Sequence, residues 1–206
     1  MIRAVIFDLG GVVLDSPFDV IEQTEHEHGL TAGFFNRIAA REDGAWARHE
    51  TGRVGRSEFV EQFGAECRAE GADIDVAHLL DSIESYAVPR PRMMEAIQRL
   101  RAAGNKVAAL TNNWESPAAD WEVPLFQSQF DVFVESWIEG VRKPDPLIYT
   151  RLLERLDLNA DQCVFLDDIG RNLKTARALG MTTIKVDDPD EALRELAALL
   201  GFALLG

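Results

Sequence analysis

The sequence predicts an α/β fold: a doubly wound parallel sheet with a helical block inserted after the first strand. Three observations predict it. Several short runs are almost wholly apolar instead of alternating, and each gives way to a polar residue, which is the pattern of strands covered on both faces. Helical patterns lie between these runs, so the strands are joined by crossovers and run parallel. One long early interval breaks the alternation and holds helical patterns only.

In chain order the strand runs are Ala4 to Phe7 ending at Asp8, Val107 to Leu110 ending at Thr111, Val132 to Val134 before Glu135, Val164 to Leu166 ending at Asp167, and Thr182 to Val186 ending at Asp187. Met93 to Ala103 spaces Met94, Ile97 and Leu100 as a helix and stops at Gly104. Pro146 to Leu156 gathers Leu147, Ile148, Leu152 and Leu153, and Asn172 to Leu179 ends at Gly180. Asp190 to Leu200 is amphipathic through Leu193, Leu196, Ala197 and Leu200, and closes the sheet. In the early interval Phe18 to His28, Thr31 to Arg41, Ser57 to Glu70 and Val76 to Tyr86 read as helices, punctuated by glycines. The expected organisation is a core of residues 1–15 and 88–206 with a helical cap over 16–87, and Val88-Pro89-Arg90-Pro91 as the exit hinge.

With 206 residues, 47% of them hydrophobic, the chain can bury about 70% of its unfolded surface. A net charge of −14 leaves no basic footprint for nucleic acid, and the acidity serves solubility. No apolar stretch reaches the ~18 residues of a membrane span, and the start is too short before its first acid to be a signal peptide. Cys67 and Cys163 form neither a metal pattern nor a disulfide framework. Cys163 is expected to be a buried small hydrophobe, and a reducing cytoplasm is the expected location. The apolar tail Phe202-Ala203-Leu204-Leu205 is expected to dock on the core or on a second subunit of a homodimer.

In open parallel sheets ligands bind beyond the carboxyl ends of the strands. Asp8, Thr111 and the pair Asp167 and Asp168 all stand at such ends, so they are expected to converge. Asp8 precedes Leu9-Gly10-Gly11, a turn that lets the carboxylate protrude. Adjacent carboxylates repel unless a cation or proton lies between them, and Mg²⁺ takes one or two carboxylates together with water and phosphate oxygens. Thr111-Asn112-Asn113 offers a hydroxyl, backbone N–H groups and amides to phosphate oxygens. Lys143, before Pro144-Asp145-Pro146, can neutralise charge on a transferring phosphoryl group.

These residues carry a resemblance. Val5-Ile6-Phe7-Asp8-Leu9-Gly10-Gly11-Val12-Val13, Leu110-Thr111-Asn112-Asn113, Arg142-Lys143-Pro144-Asp145-Pro146 and Phe165-Leu166-Asp167-Asp168-Ile169-Gly170-Arg171-Asn172 occur in the order and spacing of the haloacid dehalogenase (HAD) superfamily. The chain resembles a HAD phosphatase with a Rossmann-like core and a helical C1-type cap. Gly140-Val141-Arg142-Lys143-Pro144 and Phe165 to Gly170 resemble most closely the phosphatase-like N-terminal domain of soluble epoxide hydrolase and its free-standing bacterial relatives. The resemblance implies a phosphomonoester hydrolase acting on a small phosphorylated metabolite. Asp8 would be the nucleophile that forms an aspartyl-phosphate. Mg²⁺ would be held by Asp8, the Gly10 carbonyl and Asp168, with Asp167 behind or through water. Thr111 and the Asn112 backbone would hold phosphoryl oxygens, Lys143 would stabilise Asp8 and the developing charge, and Asn172 would orient the metal site.

One position departs from the family. A second aspartate, which protonates the leaving alkoxide, usually stands where this chain has Gly10; such help is worth ~10²–10⁴ in rate. Three readings follow: a phosphatase with a substitute acid (Asp15, His49 or an ordered water) or with a substrate whose leaving group needs little protonation, a metal-independent dehalogenase, or a non-catalytic binding or regulatory module. Of the four histidines, His26, His28 and His78 read as surface or cap packing, and His49 is the one placed near a break that could face the site. Arg48 is weighed as an anion contact against a plain surface arginine. Trp114 is expected either to stack on substrate or to pack under the cap. Trp121, Phe126, Phe130 and Trp137 read as core or interface residues.

Overall fold

The computed structural model describes residues 1–115 and 122–205. Five parallel strands, β1 (Ala4–Phe7), β2 (Lys106–Thr111), β3 (Val132–Glu135), β4 (Cys163–Asp167) and β5 (Thr182–Lys185), form one sheet in the order β3-β2-β1-β4-β5. The chain steps outward from β1 through β2 to β3, then crosses back to β4 and β5 on the other side. β1 is therefore the topological switch point, and the crevice beyond its carboxyl end is where ligands bind in such sheets.

Helices α1 (Pro17–Glu27), α2 (Phe34–Ala39), α3 (Ala45–Glu50), α4 (Arg56–Ala69) and α5 (Val76–Tyr86) all lie between β1 and β2. α6 (Pro91–Ala102) leads into β2, and α7 (Glu122–Gln127) precedes β3. α8 (Ser136–Glu139) and α9 (Pro146–Leu156) follow β3, α10 (Gly170–Ala178) joins β4 to β5, and α11 (Pro189–Leu200) follows the last strand. The pleat divides the sheet's side chains between two layers. Val5, Phe7, Val107 and Leu166 pack with Met93 and Ile97 of α6 and Leu193 and Leu196 of α11. Ala4, Ile6, Leu110 and Phe165 pack with Ile148 and Leu152 of α9 and Leu173 of α10. Both faces are covered, which is why these strands read as unbroken apolar runs.

Helix starts follow local chemistry. Ser16, Asp145 and Asp188 each cap an N-terminus with a side-chain oxygen, and each is followed by a proline in the first turn, where the missing N–H costs nothing. α2 is shorter than the Thr31 to Arg41 pattern because the chain turns at Gly33, at φ 78°. The buried Glu25 carboxylate then accepts the Gly33 and Phe35 N–H groups at 2.7 and 2.9 Å. α3, α7 and α8 were not anticipated; spans of six, six and four residues are too short to show a period. β5 ends at Lys185 instead of Val186, and other ends differ by a residue or two.

The block α1–α5 has its own apolar centre around Phe35, Ile38, Phe59, Phe63 and Leu80. Its two connections to the sheet run side by side. Asp15 N–H donates to Val88 O and Arg90 N–H to Val13 O at 3.0 and 2.8 Å, and Arg90 also donates to Gly11 O at 2.8 Å. At Gly52 (φ 65°) a Cβ would stand 2.5 Å from Trp137 O, so the turn after α3 rests on α8 through bare backbone. Cys67 and Cys163 are both buried and unpaired, with burial pushing each thiol up to about 11.

Candidate active site

The carboxyl ends of β1, β2 and β4 meet at a buried polar cluster. Asp8 continues the ladder of β1, its N–H donating to Leu166 O at 2.8 Å, and its Oδ1 accepts from Leu9 N–H at 2.7 Å. Lys143, only 1% exposed, places Nζ 2.8 Å from Asp8 Oδ2 and 2.8 Å from Asp167 Oδ2. Asp167 is fully buried and both its oxygens are engaged. Oδ1 accepts from Ile169 N–H at 2.7 Å, and Asn172 Nδ2 lies 3.1 Å from each oxygen. Tyr149 OH ties down the Asn172 carbonyl at 3.0 Å. The Asn112 side chain brackets the Lys143 peptide, donating to its O at 3.0 Å and accepting from its N–H at 2.8 Å. Thus Asn112 holds the loop that delivers the lysine.

Asp8, Asp167 and Asp168 bring carboxylate oxygens within 4.8 Å of one another, with Lys143 as the cation among them. Burial pushes the Asp8 carboxyl well above its ordinary value against the pull of Lys143, and Asp167 and Asp168 push it further up. Burial alone would lower the Lys143 ammonium, but Asp167 and Asp8 hold it above its ordinary value. Asp168 is pushed up to about 6 by burial and by Asp167 beside it. The cluster thus sets three carboxyl groups against one ammonium. Asp168 Oδ1 and Asn172 Oδ1 are buried with no hydrogen-bond partner, an arrangement that costs free energy unless something meets them. Gly11, at φ 78°, passes so close that a Cβ would lie 2.4 Å from Asp168 Oδ2; no other residue fits there.

Above this cluster opens a cavity of about 630 Å³ bounded by Asp8, Thr111, Lys143 and Asp168 on one side and by residues of α1–α5 on the other. The second wall is mostly apolar, with Phe18, Ile21, Phe35, Ala39, Trp46 and Ile83. Trp114 reaches from the end of β2 into the aromatic cluster of the block, 5.8 Å from Trp46 and 5.4 Å from the His49 ring, and donates to Glu84 Oε1 at 2.9 Å. Glu50 accepts from Arg142 at 2.6 Å and from Trp46 Nε1 at 2.9 Å. Trp46, Glu50, Glu84 and Arg142 were not picked out as site residues by sequence, although Arg142 sits beside Lys143.

Of the residues singled out in the sequence, Asp8, Gly10, Thr111, Asn112, Lys143, Asp168 and Asn172 all line the cavity, and Asp167 lies buried beneath it. His49 does not face it. Its ring stacks between Phe59 and Trp114 at 4.4 and 5.4 Å, Nδ1 lies 3.0 Å from Val54 O, and burial lowers its pKa. His26, His28 and His78 are exposed. Arg48 bonds Asp43 and Gln62 within the block. Asp15 lines the cavity with its carboxylate 3.4 Å from Arg90. Phe126 and Phe130 pack edge to face beside Phe133, Trp137 Nε1 donates to Glu135 at 3.3 Å, and Trp121 lies outside the described residues. No described helix is long and apolar enough to cross a membrane.

A parallel sheet switching at β1, with a carboxylate at that strand's end and an acidic pair one strand away, defines a HAD-type α/β hydrolase fold. The sequence profile of haloacid dehalogenase-like hydrolases matches residues 2–180, and the chain belongs to that family. It is 41% identical over 207 residues to Acyl-CoA dehydrogenase family member 10 of Mus musculus, and 36% identical over 220 residues to Bifunctional epoxide hydrolase 2 of Sus scrofa. These matches cover 98% and 99% of the chain but 19% and 40% of the relatives, so the chain spans only part of those longer proteins. A Sesquiterpene phosphatase of Aspergillus oryzae is 28% identical, with 97% of each chain covered. Among solved structures, a HAD enzyme of Bacteroides thetaiotaomicron in complex with magnesium and inorganic phosphate superposes with a TM-score of 0.64 at 22% identity, covering 90% of this chain and 94% of the other.

Proposed function

We propose that the chain is a Mg²⁺-dependent phosphomonoesterase that uses Asp8 as nucleophile, with α1–α5 (residues 16–87) as a cap over a core of residues 1–15 and 88–206. The observation that carries this reading is the Asp8–Lys143–Asp167 ion cluster beneath the cavity, with Asp168 beside it. Asp8, Asp168 and the Gly10 carbonyl would hold the metal; the unpartnered Asp168 and Asn172 oxygens and the gathering of three carboxyl groups around one ammonium fit a divalent cation. Asp167 braces Lys143 and Asn172 from behind, since its own oxygens are taken. Bound there, Mg²⁺ supplies charge neutralisation for the carboxylates and the phosphoryl oxygens. Lys143 holds Asp8 in one rotamer and offsets charge that develops on the phosphoryl group. Thr111, buried at the cavity edge, presents its hydroxyl to a phosphoryl oxygen. The apolar wall excludes water from the aspartyl-phosphate and favours substrates whose organic part is apolar, in keeping with the sesquiterpene phosphatase among the relatives. The carboxylate surplus also favours this reading over the metal-independent dehalogenase.

The test is phosphate release from monoesters with and without Mg²⁺, beside Asp8→Asn. Turnover that needs the metal and falls by about 10³ or more in the variant is the expected result. Equal residual hydrolysis by both proteins on every substrate sinks the reading.

A further inference from the structure

Cleavage of an alkyl phosphate at the P–O bond expels an alkoxide, about as basic as the hydroxide of water with its pKa of about 15.7. Such a group leaves readily only if a proton is delivered to it. Apart from the floor carboxylates, the cavity is lined by the carboxyls of Asp15, Glu50 and Glu84, and each already accepts from a donor. Glu50 Oε1 and Oε2 accept from Trp46 and Arg142 at 2.9 and 2.6 Å. Glu84 Oε1 accepts from Arg56 and Trp114 at 2.9 Å each. Asp15 faces Arg90 at 3.4 Å. No histidine, tyrosine or cysteine lines the cavity among the described residues, and Lys143 is bound between Asp8 and Asp167.

Position 10 is tight for a replacement. A Cβ on Gly10 would lie 3.2 Å from Pro17 Cδ and 3.4 Å from Cγ, so the first residue of α1 stands where a side chain would start.

We propose, resting on the phosphatase reading, that the site serves phosphates with weakly basic leaving groups, acyl phosphates before aryl phosphates and aryl before alkyl, with the organic part against the apolar wall. The parent acids of acyl and aryl leaving groups have pKa values near ~4.3 and ~10, by analogy with Glu and Tyr side chains. In the first step an Asp8 oxygen bonds to phosphorus as the P–O bond to the acyl group breaks. The carboxylate leaves with the electron pair and takes no proton. In the second step water attacks phosphorus, the Asp8 carboxylate departs, and the water's proton passes to the released phosphate or to solvent. The aspartyl-phosphate is itself an acyl phosphate, so neither departure needs a proton donor.

The experiment compares kcat/KM for hexanoyl phosphate, 4-nitrophenyl phosphate, phenyl phosphate and hexyl phosphate with Mg²⁺, with phosphorylated Asp8 followed by mass spectrometry. The expected result is a fall of about 10³ or more from hexanoyl to hexyl phosphate. In Gly10→Asp/Pro17→Ala, the ratio of hexyl to hexanoyl phosphate kcat/KM should rise by ~10²–10⁴. Hexyl and hexanoyl phosphate within about tenfold of each other in the wild type overturn the proposal, as does loss of hexyl phosphate turnover in Asp15→Asn. Either result leaves the phosphatase reading standing if phosphorylated Asp8 still forms. Failure of every substrate, with no phosphorylated Asp8, overturns both.

Discussion

The cavity floor and the wall facing it stabilise their polar groups by opposite means. On the floor, Asp8, Asp167 and Lys143 are almost wholly buried and joined to each other and to backbone N–H groups. On the wall the surface is apolar, and its charges are tied off in pairs, Glu50 with Arg142 and Glu84 with Arg56. Under the proposed function, the floor would hold charge in low dielectric where a phosphoryl group meets it, and the wall would offer an apolar surface to the ligand's organic part. The difference predicts that floor changes are felt in stability and chemistry together, and wall changes mainly in binding.

The sharpest way to break that contrast is Lys143→Met. The side chain keeps similar bulk but leaves Asp8 and Asp167 facing each other unneutralised. Removing one partner of a buried ion cluster costs ~3–5 kcal/mol, and the metal-free protein should lose about that much in urea unfolding. If the loss stays below about 1 kcal/mol, the floor is as well solvated as a surface pair and the contrast fails.

Next in size is the seam between block and sheet. Gly52→Ala places a Cβ 2.5 Å from Trp137 O on a residue at φ 65°. The backbone strain alone is worth ~1–2 kcal/mol, and the collision adds to it. Unfolding should report about 2 kcal/mol or more of lost stability, whereas Gly55→Ala, with nothing within 4 Å of its Cβ, should change little. Equal effects from the two would mean the turn does not rest on α8.

A wall substitution should separate binding from chemistry. Ala39→Phe adds volume to the apolar side of the cavity without touching Asp8 or Lys143. KM for a phosphate ester with a bulky apolar group should rise about tenfold, or about 1.4 kcal/mol, while inhibition by inorganic phosphate stays unchanged. A parallel loss in phosphate inhibition would show that wall and floor are not separable.

This division also explains what could be read from the sequence. Asp8, Thr111 and Asp167 are legible because a strand end fixes where its next residue points, and the parallel sheet brings such ends together. Lys143 is a candidate from its place before Pro144-Asp145-Pro146, but its role beside Asp8 comes from the resemblance, since no period places a loop lysine at a site. Trp46 and Glu50 escaped because the packing of α3, a six-residue helix, is decided by tertiary contacts, and Arg142 because it lies in the loop between α8 and α9 and meets Glu50 only in the folded chain. His49 misled for the same reason. It stands one residue before Glu50, yet its ring points into the aromatic stack while Glu50 faces the cavity. Pro17 carried no signal in the sequence, since its position against Gly10 exists only once the loop has folded back.

The smallest effect tests that misplacement. His49 is buried between Phe59 and Trp114, near Glu50, Glu84 and Arg56, and burial lowers its pKa below 6.5. The unfolded chain therefore takes up a proton near 6.5 that the folded chain resists. Its contribution is intact above 6.5, declines as pH falls below that value, and levels off beneath the folded pKa. Asp8 and Asp168 act with the opposite sign, since their folded pKa values are raised, so the total profile is ambiguous and the difference between two proteins is not. His49→Phe should carry a constant offset from the lost Val54 contact. Its stability should then fall less than the wild type's as pH drops below 6.5. Parallel profiles would place the His49 ring in contact with water and reopen it as a group facing the cavity.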